Sequence, residues 1–259
     1  MSLIEQLKRA RVYDLGQPYF VGMPRFPTHP PFLCSVTKSH GDLVLKNGAS
    51  SSAESMALGS HVGTHIDALC HFSCGGQFYG GVPTTAGMGA LGIATVAPIV
   101  RRGVLFDVAG HVGVDVLPAD FEVTPSLLDS MGITVQPGDV ALLRTGWGSL
   151  WRDPRKFITG GLCEQVVAPG PKLEGAKWFS SRGVFAAGSD TVAFEYFPSP
   201  EMAVHVHLLV ESGIHIIECL NLEELARDQV REFAFVASPM KLEGGTGAPV
   251  RPLAICDIS

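Results

Sequence analysis

Apolar residues in this chain gather in short runs of strand length, separated by helical patterns and by stretches rich in glycine and proline. Period-two alternation or a compact apolar run predicts a strand, and spacings of three and four predict a helix. The predicted strands are 11–15, 94–100, 102–108, 140–146, 184–188, 214–222, 232–237 and 250–256. The predicted helices are 1–8, 125–132, 172–181 and 201–212. Loops are predicted at 17–31, 38–52, 72–85 and 149–171, and no internal repeat or linker divides the chain, so residues 1–259 are predicted to form one domain.

Capping residues mark two of the predicted helix starts. Ser2 and Glu5 stand at capping-box spacing near the first helix. Thr124 precedes Pro125, a threonine cap followed by proline in the first turn, and Gly132 ends that helix.

The segment 59–71 is the most unusual polar stretch, because it holds His61, His65, Asp67 and His71 within eleven residues. Glycine and β-branched neighbours disfavour a helix here. As an extended strand, His61, Gly63, His65 and Asp67 would share one face, with Gly63 leaving an open slot between two imidazoles. Two nitrogens and one carboxylate suit a divalent metal with positions left for water, and we predict metal ligands at His61, His65 and Asp67. His71 is predicted to stand beside the metal as an acid or base.

A second candidate set lies between residues 200 and 222. His205 shares a helix face with Leu208 and Leu209, whereas His207 lies on the opposite, solvent-side face. Glu218 falls in the middle of an apolar strand face and needs a partner there. His205 and Glu218 are therefore predicted to hold a second metal bridged by Asp67, with His207 left open as the alternative ligand. Asp190 after the strand 184–188 is predicted either to orient a ligand histidine or to cap the following turn.

Composition narrows the class of protein. Apolar residues make up 46% and charged residues 17%, and the net charge is −6. These values predict a globular chain with no nucleic-acid or anionic-membrane partner. Six cysteines show neither zinc-finger nor disulfide-scaffold spacing. Without a signal peptide or an apolar run of membrane-spanning length, we expect a cytoplasmic protein with free thiols at Cys34, Cys70, Cys74, Cys163, Cys219 and Cys256.

The motif His-Xaa-Gly-Thr-His-Xaa-Asp-Xaa-Xaa-Xaa-His at 61–71 resembles the signature of the metal-dependent cyclase family, which contains bacterial kynurenine formamidase and isatin hydrolase. Leu69 stands where the family usually has proline. His205 with Leu208-Leu209, Glu218 and the stretch 244–251 resemble the family as well. The resemblance implies an α/β fold, a single domain with a mixed, partly barrel-like β-sheet flanked by helices (swivelling β/β/α), and a homodimer or homotetramer. It also brings the loop 17–31 to the active site and favours Phe20, Phe26, Phe32 and Arg25 as substrate contacts, although the loop could instead pack only on the chain's own core.

The predicted activity is hydrolysis of an amide by metal-activated water, with His71 moving the proton. The resemblance makes an arylformamide such as N-formylkynurenine, in tryptophan catabolism, the leading small-molecule substrate. Opening of a cyclic amide such as isatin, or of a dienelactone, is the alternative. A lyase that stabilises an enolate and a non-catalytic metal-binding protein are further hypotheses. One or two Zn²⁺ ions are predicted, and Mn²⁺ suits the same ligands.

Overall fold

A computed structural model describes residues 2–161 and 164–257, so the predicted free thiol of Cys163 lies outside the described residues. Nine strands form one mixed sheet that curls into a half-barrel, in the order β1-β11-β9-β5-β6-β7-β8-β4-β10. Strands β5, β6, β7 and β8 run parallel, and the outer pairs are antiparallel. The predicted mixed, partly barrel-like sheet is confirmed. The strands are β1 (Arg11–Asp14), β2 (Leu33–Lys38), β3 (Ala53–Ala57), β4 (His65–Asp67), β5 (Ile99–Asp107), β6 (Val140–Arg144), β7 (Ala186–Ser189), β8 (His215–Glu218), β9 (Glu232–Ala237), β10 (Gly247–Pro249) and β11 (Leu253–Cys256).

Short helices surround this sheet, and two of them begin at the caps that the sequence indicated. Ser2 accepts a hydrogen bond from the backbone N–H of Glu5, and Thr124 accepts one from that of Leu127. These caps satisfy backbone donors that have no partner within the helix. The helices are α1 (Leu3–Leu7), α2 (Val108–Val112), α3 (Pro125–Ser130), α4 (Pro154–Thr159), α5 (Leu173–Ser181), α6 (Ala203–His205, continued by a π-helical turn over Val206–Glu211) and α7 (Glu223–Arg227).

The central strands bury both faces, which explains their continuous apolar runs. In β6, Val140 and Leu142 pack in one cluster with Ile66 of β4. Ala141 and Leu143 pack in a second cluster, under α5 and the π-helical turn. Each large aliphatic side chain buried in this way contributes roughly 1.5–3 kcal/mol. The sheet is therefore a rigid platform for the polar groups at the ends of β4, β7 and β8.

Several sequence-based boundaries are wrong. The predicted strands 94–100 and 102–108 are one strand, β5, preceded by a 3₁₀ turn at Ile93–Thr95. The predicted loop 149–171 contains α4, which Asp153 caps through the backbone N–H of Lys156. The hairpin of β2 and β3 escaped the pattern analysis because its side chains are almost all exposed, so no buried face imposes alternation.

The described cysteines are free thiols, as predicted: Cys34, Cys70, Cys74, Cys219 and Cys256. Within the described part of the chain, none of the helices has the length and apolar character needed to cross a membrane.

Candidate metal centre and substrate cavity

Strand β4 carries only the second half of the histidine motif. His65 and Asp67 lie in the strand, two residues apart, and their side chains share a face as predicted. Across the antiparallel pair, His65 is in register with Glu218 of β8. This register brings His65 Nε2 to 3.4 Å from Glu218 Oε2, while Asp67 Oδ1 on the same strand lies 3.5 Å from that nitrogen. The strand pairing thus unites ligand types from two distant parts of the sequence.

The predicted extended strand over residues 61–64 is wrong. Gly63 has φ +75°, a left-handed conformation, and residues 61–64 form turns rather than a strand. The expected open slot at Gly63 is also wrong, because a Cβ there would lie 2.4 Å from the Tyr19 ring. The Tyr19 hydroxyl holds the turn by donating towards the carbonyls of Val62 (3.1 Å) and Thr64 (3.0 Å). His61 therefore reaches the site through a tight turn.

That turn places the His61 ring against Asp67 and the strand β10. His61 Nδ1 is 2.7 Å from Asp67 Oδ1, and its Nε2 is 2.8 Å from Thr246 Oγ1. A Cβ at Gly247 would approach His61 Cε1 at 2.4 Å, so glycine is needed there for the ring to fit. Thr246 and Gly247 come from the stretch 244–251, and no local pattern in the sequence indicates their contact with His61.

The helix at 203–211 supplies the remaining ligand candidate. It begins later than predicted, after Met202 in a left-handed conformation, and it widens to a π-helical turn after His205. His205 is buried and its Nε2 lies 3.2 Å from Glu218 Oε1. His207 points elsewhere, with its ring nitrogens beside Ser180 (2.8 Å) and Glu211 (2.7 Å). The structure therefore brings His205, and not His207, to the cluster.

Two groups of side chains could each hold a metal ion, and both contain Asp67. They are His61–His65–Asp67 and Asp67–His205–Glu218, with the ligand atoms of each group within 4.8 Å of one another. Asp67 Oδ2 is buried and has no hydrogen-bond partner among the described residues. A buried carboxylate oxygen without a partner is costly, and a shared cation would satisfy it. The donor set of imidazoles and carboxylates thus fits one or two divalent ions.

The ionisable side chains of the cluster shift one another's pKa values. Burial disfavours charge on Asp67, but the imidazoles of His71, His61 and His65 outweigh burial and hold its pKa well below the usual range. Burial disfavours charge on His205 as well, yet the carboxylates of Glu195 and Glu218 raise its pKa to about 10. Burial, with repulsion from neighbouring histidines, lowers the pKa of His71 to about 3 despite the nearby Asp67. The ring of His71 is therefore neutral.

His71 stands beside the cluster. Its ring stacks on His61 with centroids 3.7 Å apart and lies edge-on to Phe72 at 5.0 Å. Its centroid is 6.4 Å from that of His205. This position, next to the candidate ligands and on the wall of a cavity, is the one expected for a proton-transfer group.

A cavity of about 360 Å³ opens over the cluster. Its volume falls in the usual range for small-molecule sites. The predicted contact Phe26 lies on its wall, 5.6 Å edge-to-face from Phe197. The full lining is Phe26, Thr28, His29, His61, His65, His71, Phe72, Val192, Ala193, Phe197, Ser199, Met202, His205 and Glu218.

The other predicted substrate contacts lie outside this lining. Phe20 packs under the guanidinium of Arg152, and Phe32 is buried against Tyr19. Arg25 is committed to its own loop, where it donates hydrogen bonds to the carbonyls of Pro27 and His29. The loop 17–31 therefore does both things considered for it, since one part packs on the core and another part, at Phe26–His29, borders the cavity.

Several residues of the site were missed. His29 lies on the wall, and its Nδ1 is 3.0 Å from the carbonyl of His61. Glu195 bonds to His205. Asp190 caps a loop, because its carboxylate accepts hydrogen bonds from Thr145, Gly146 and Gly148. These contacts match neither predicted role of Asp190, because the loop that it caps precedes it in the chain and is not the turn that follows it. His29 and Glu195 carry no local signal in the sequence.

Comparison with known proteins agrees with this fold and site. A family model described as "Putative cyclase" matches residues 13–196. Kynurenine formamidase of Bacillus cytotoxicus is 25% identical over 255 residues, covering 95% of this chain and 98% of that protein. Isatin hydrolase of Roseibium aggregatum is 25% identical over 207 residues, covering 77% of this chain and 73% of that protein.

Solved structures extend the likeness to the whole fold. A crystal structure described as a novel cyclase superposes with a TM-score of 0.84 at 27% identity, covering 98% of this chain and 89% of the other. Isatin hydrolase A from Ralstonia solanacearum superposes with a TM-score of 0.78 at 25% identity, covering 98% and 96%. The fold and the histidine–carboxylate cluster thus define a metal-dependent hydrolase of the α/β class. The chain belongs to the Cyclase family.

Proposed function

We propose that this protein hydrolyses the amide bond of a small aromatic substrate and requires a divalent metal. The observation that carries the proposal is the pair of ligand groups that share Asp67 beside an aromatic cavity. One oxygen of Asp67 is buried without a partner in the part of the chain that the structure describes. The names of the similar proteins, kynurenine formamidase and isatin hydrolase, support the same class of reaction.

His61, His65 and Asp67 would hold one ion, and Asp67, His205 and Glu218 a second. When bound, such ions lower the pKa of water towards neutrality and polarise a carbonyl oxygen. Either Zn²⁺ or Mn²⁺ suits nitrogen and carboxylate ligands. Glu218 is held in place for this role, because its Oε1 accepts a hydrogen bond from the backbone N–H of Phe194 at 3.1 Å.

His71 is the proposed proton carrier. It would take a proton from water and pass it to the leaving nitrogen, and its position beside the ligand group supports this role. Proton transfer by a positioned side chain typically contributes about 10²–10⁴ in rate. Stacking on His61 keeps the ring close to the ligand group while leaving it on the cavity wall.

The walls select a planar, largely apolar substrate. Phe26, Phe72 and Phe197 supply aromatic faces, and Val192 and Met202 add aliphatic surface. Aromatic side chains favour edge-to-face or offset contacts with another ring. An arylformamide such as N-formylkynurenine is the leading candidate, because the similarity to kynurenine formamidase extends over 95% of this chain.

A cyclic substrate is the second candidate. The isatin hydrolase structure shares the whole fold with this chain, and a fused ring such as isatin, or a lactone, presents the same planar shape to the cavity. A lyase and a non-catalytic metal protein are the remaining hypotheses, and product analysis separates them from a hydrolase. We also propose a cytoplasmic homodimer or homotetramer.

The test combines metal analysis with product analysis. Purified protein is stripped with chelator, reloaded with Zn²⁺ or Mn²⁺, measured for metal content by mass spectrometry and assayed on N-formylkynurenine and isatin. Two ions per chain with metal-dependent release of formate would support the formamidase. One ion with opening of isatin alone would favour the second candidate. Failure to bind either metal would refute the proposal.

A further inference from the structure

Glu195 is a buried carboxylate on the far side of His205 from the cluster. It is 1% exposed. Its Oε2 accepts a hydrogen bond from the backbone N–H of His205 at 3.1 Å and lies 2.5 Å from His205 Nδ1. Its Oε1 accepts a hydrogen bond from the hydroxyl of Ser199. Both oxygens of a carboxylate that is costly to bury are therefore engaged, one with His205 and the other with Ser199.

These contacts determine which nitrogen of His205 faces the cluster. A carboxylate only accepts hydrogen bonds, so Nδ1 of His205 carries the hydrogen. Nε2 lies on the other side of the ring, 3.2 Å from Glu218 Oε1, and it gives up its own hydrogen when it binds an ion. The orientation of the ring follows from Glu195 on one side and the cluster on the other.

His65 also presents its Nε2 to the cluster, but the group that binds its Nδ1 is a neutral backbone carbonyl. Its Nδ1 donates to the carbonyl of Gly63 at 2.8 Å, and its Nε2 faces Asp67 and Glu218. Hydrogen bonds to a charged acceptor are roughly twice as strong as those to a neutral one. The two ligand groups thus differ in the partner behind their histidine, a backbone carbonyl for His65 and an acid for His205.

We propose that Glu195 is the positioning residue of the second ion site. It fixes the His205 ring and makes Nε2 a stronger electron-pair donor, so that Asp67, His205 and Glu218 retain their ion. The inference rests on the metal binding in the proposed function. Removing such an outer partner of a ligand histidine typically lowers metal affinity about 10- to 100-fold.

The experiment is a metal titration that does not depend on activity. Chelator-stripped wild type, Glu195→Ala, Glu195→Gln and His207→Ala are titrated with Zn²⁺ by calorimetry, and retained ions are counted by mass spectrometry after desalting. His207→Ala is the matched control, because His207 lies two residues beyond His205 but bonds to Ser180 and Glu211.

Wild type and His207→Ala are each expected to bind two ions, and the affinity of each site is expected to be the same in the two proteins. Glu195→Ala is expected to keep the first ion and to bind the second about 10- to 100-fold more weakly. Glu195→Gln retains an accepting oxygen for Nδ1, so it is expected to recover part of that affinity.

Other results would overturn the inference. Two ions with wild-type affinities in Glu195→Ala would show that Glu195 does not position the ligand. Equal weakening of both sites in Glu195→Ala, without recovery in Glu195→Gln, would indicate a general structural role. A wild type that binds no ion would refute the proposed function itself, whereas the first two results leave that function standing.

Discussion

Substitution of Gly63 by alanine tests the packing that bends the histidine motif into the site. The residue has φ +75°, and a Cβ there would lie 2.4 Å from Cζ and 2.5 Å from the hydroxyl of Tyr19. A left-handed conformation costs an L-residue roughly 1–2 kcal/mol. Overpacking a tight contact costs about 1–3 kcal/mol more. The expected loss in the free energy of unfolding is therefore about 2–5 kcal/mol.

The matched control is Gly41→Ala in the exposed loop of the β2–β3 hairpin. Gly41 has φ +94°, and a Cβ at this position would meet nothing within 4 Å. It should lose only the conformational part, about 1–2 kcal/mol. Urea denaturation of the chelator-stripped proteins measures both losses without a contribution from bound metal.

A smaller side chain at position 19 should restore part of the stability lost in Gly63→Ala. In a double-mutant cycle, Tyr19→Leu removes the atoms that clash with the new methyl group, so the two substitutions should couple favourably. Equal losses for Gly63→Ala and Gly41→Ala would show that Tyr19 moves aside freely. That result would refute the argument that this contact shapes the turn between His61 and His65.

Three further predictions concern the site. His71→Gln should lower the turnover rate by about 10²–10⁴ while the metal content stays at the wild-type level, and a lost ion would instead make His71 a ligand. Metal at 100 times its dissociation constant should stabilise the stripped protein by about 2.7 kcal/mol, measured by thermal unfolding, and an unchanged midpoint would contradict a metal site in the folded state. Gly247→Ala should push the His61 ring away, since the new methyl would meet Cε1 at 2.4 Å, and titration should show weaker binding of the ion shared by His65 and Asp67. Unchanged binding in Gly247→Ala would mean that the His61 ring has room to move.

The sequence determined those parts of the fold that depend on local patterns. The caps at Ser2 and Thr124 and the buried run of β6 follow from neighbouring residues, and the structure confirms them. The shared face of His65 and Asp67 follows from alternation in a strand. Predictions from local patterns were wrong where a residue is buried by side chains from a distant part of the chain. Gly63 was assigned to a strand because its packing against Tyr19 cannot be seen from residues 59–71.

The site divides in the same way. The ligand types in 61–71 were evident from their density, and His205 was distinguished from His207 by its helix face. Only the tertiary structure decided that His65 pairs with Glu218, that Thr246 reaches His61, and that Glu195 holds His205. The first two contacts join segments far apart in the chain and are set by strand order and register, whereas the third depends on how the loop at Glu195 packs against α6. Periodicity along one segment shows which face a side chain occupies, whereas the partner on that face depends on how the whole sheet is assembled.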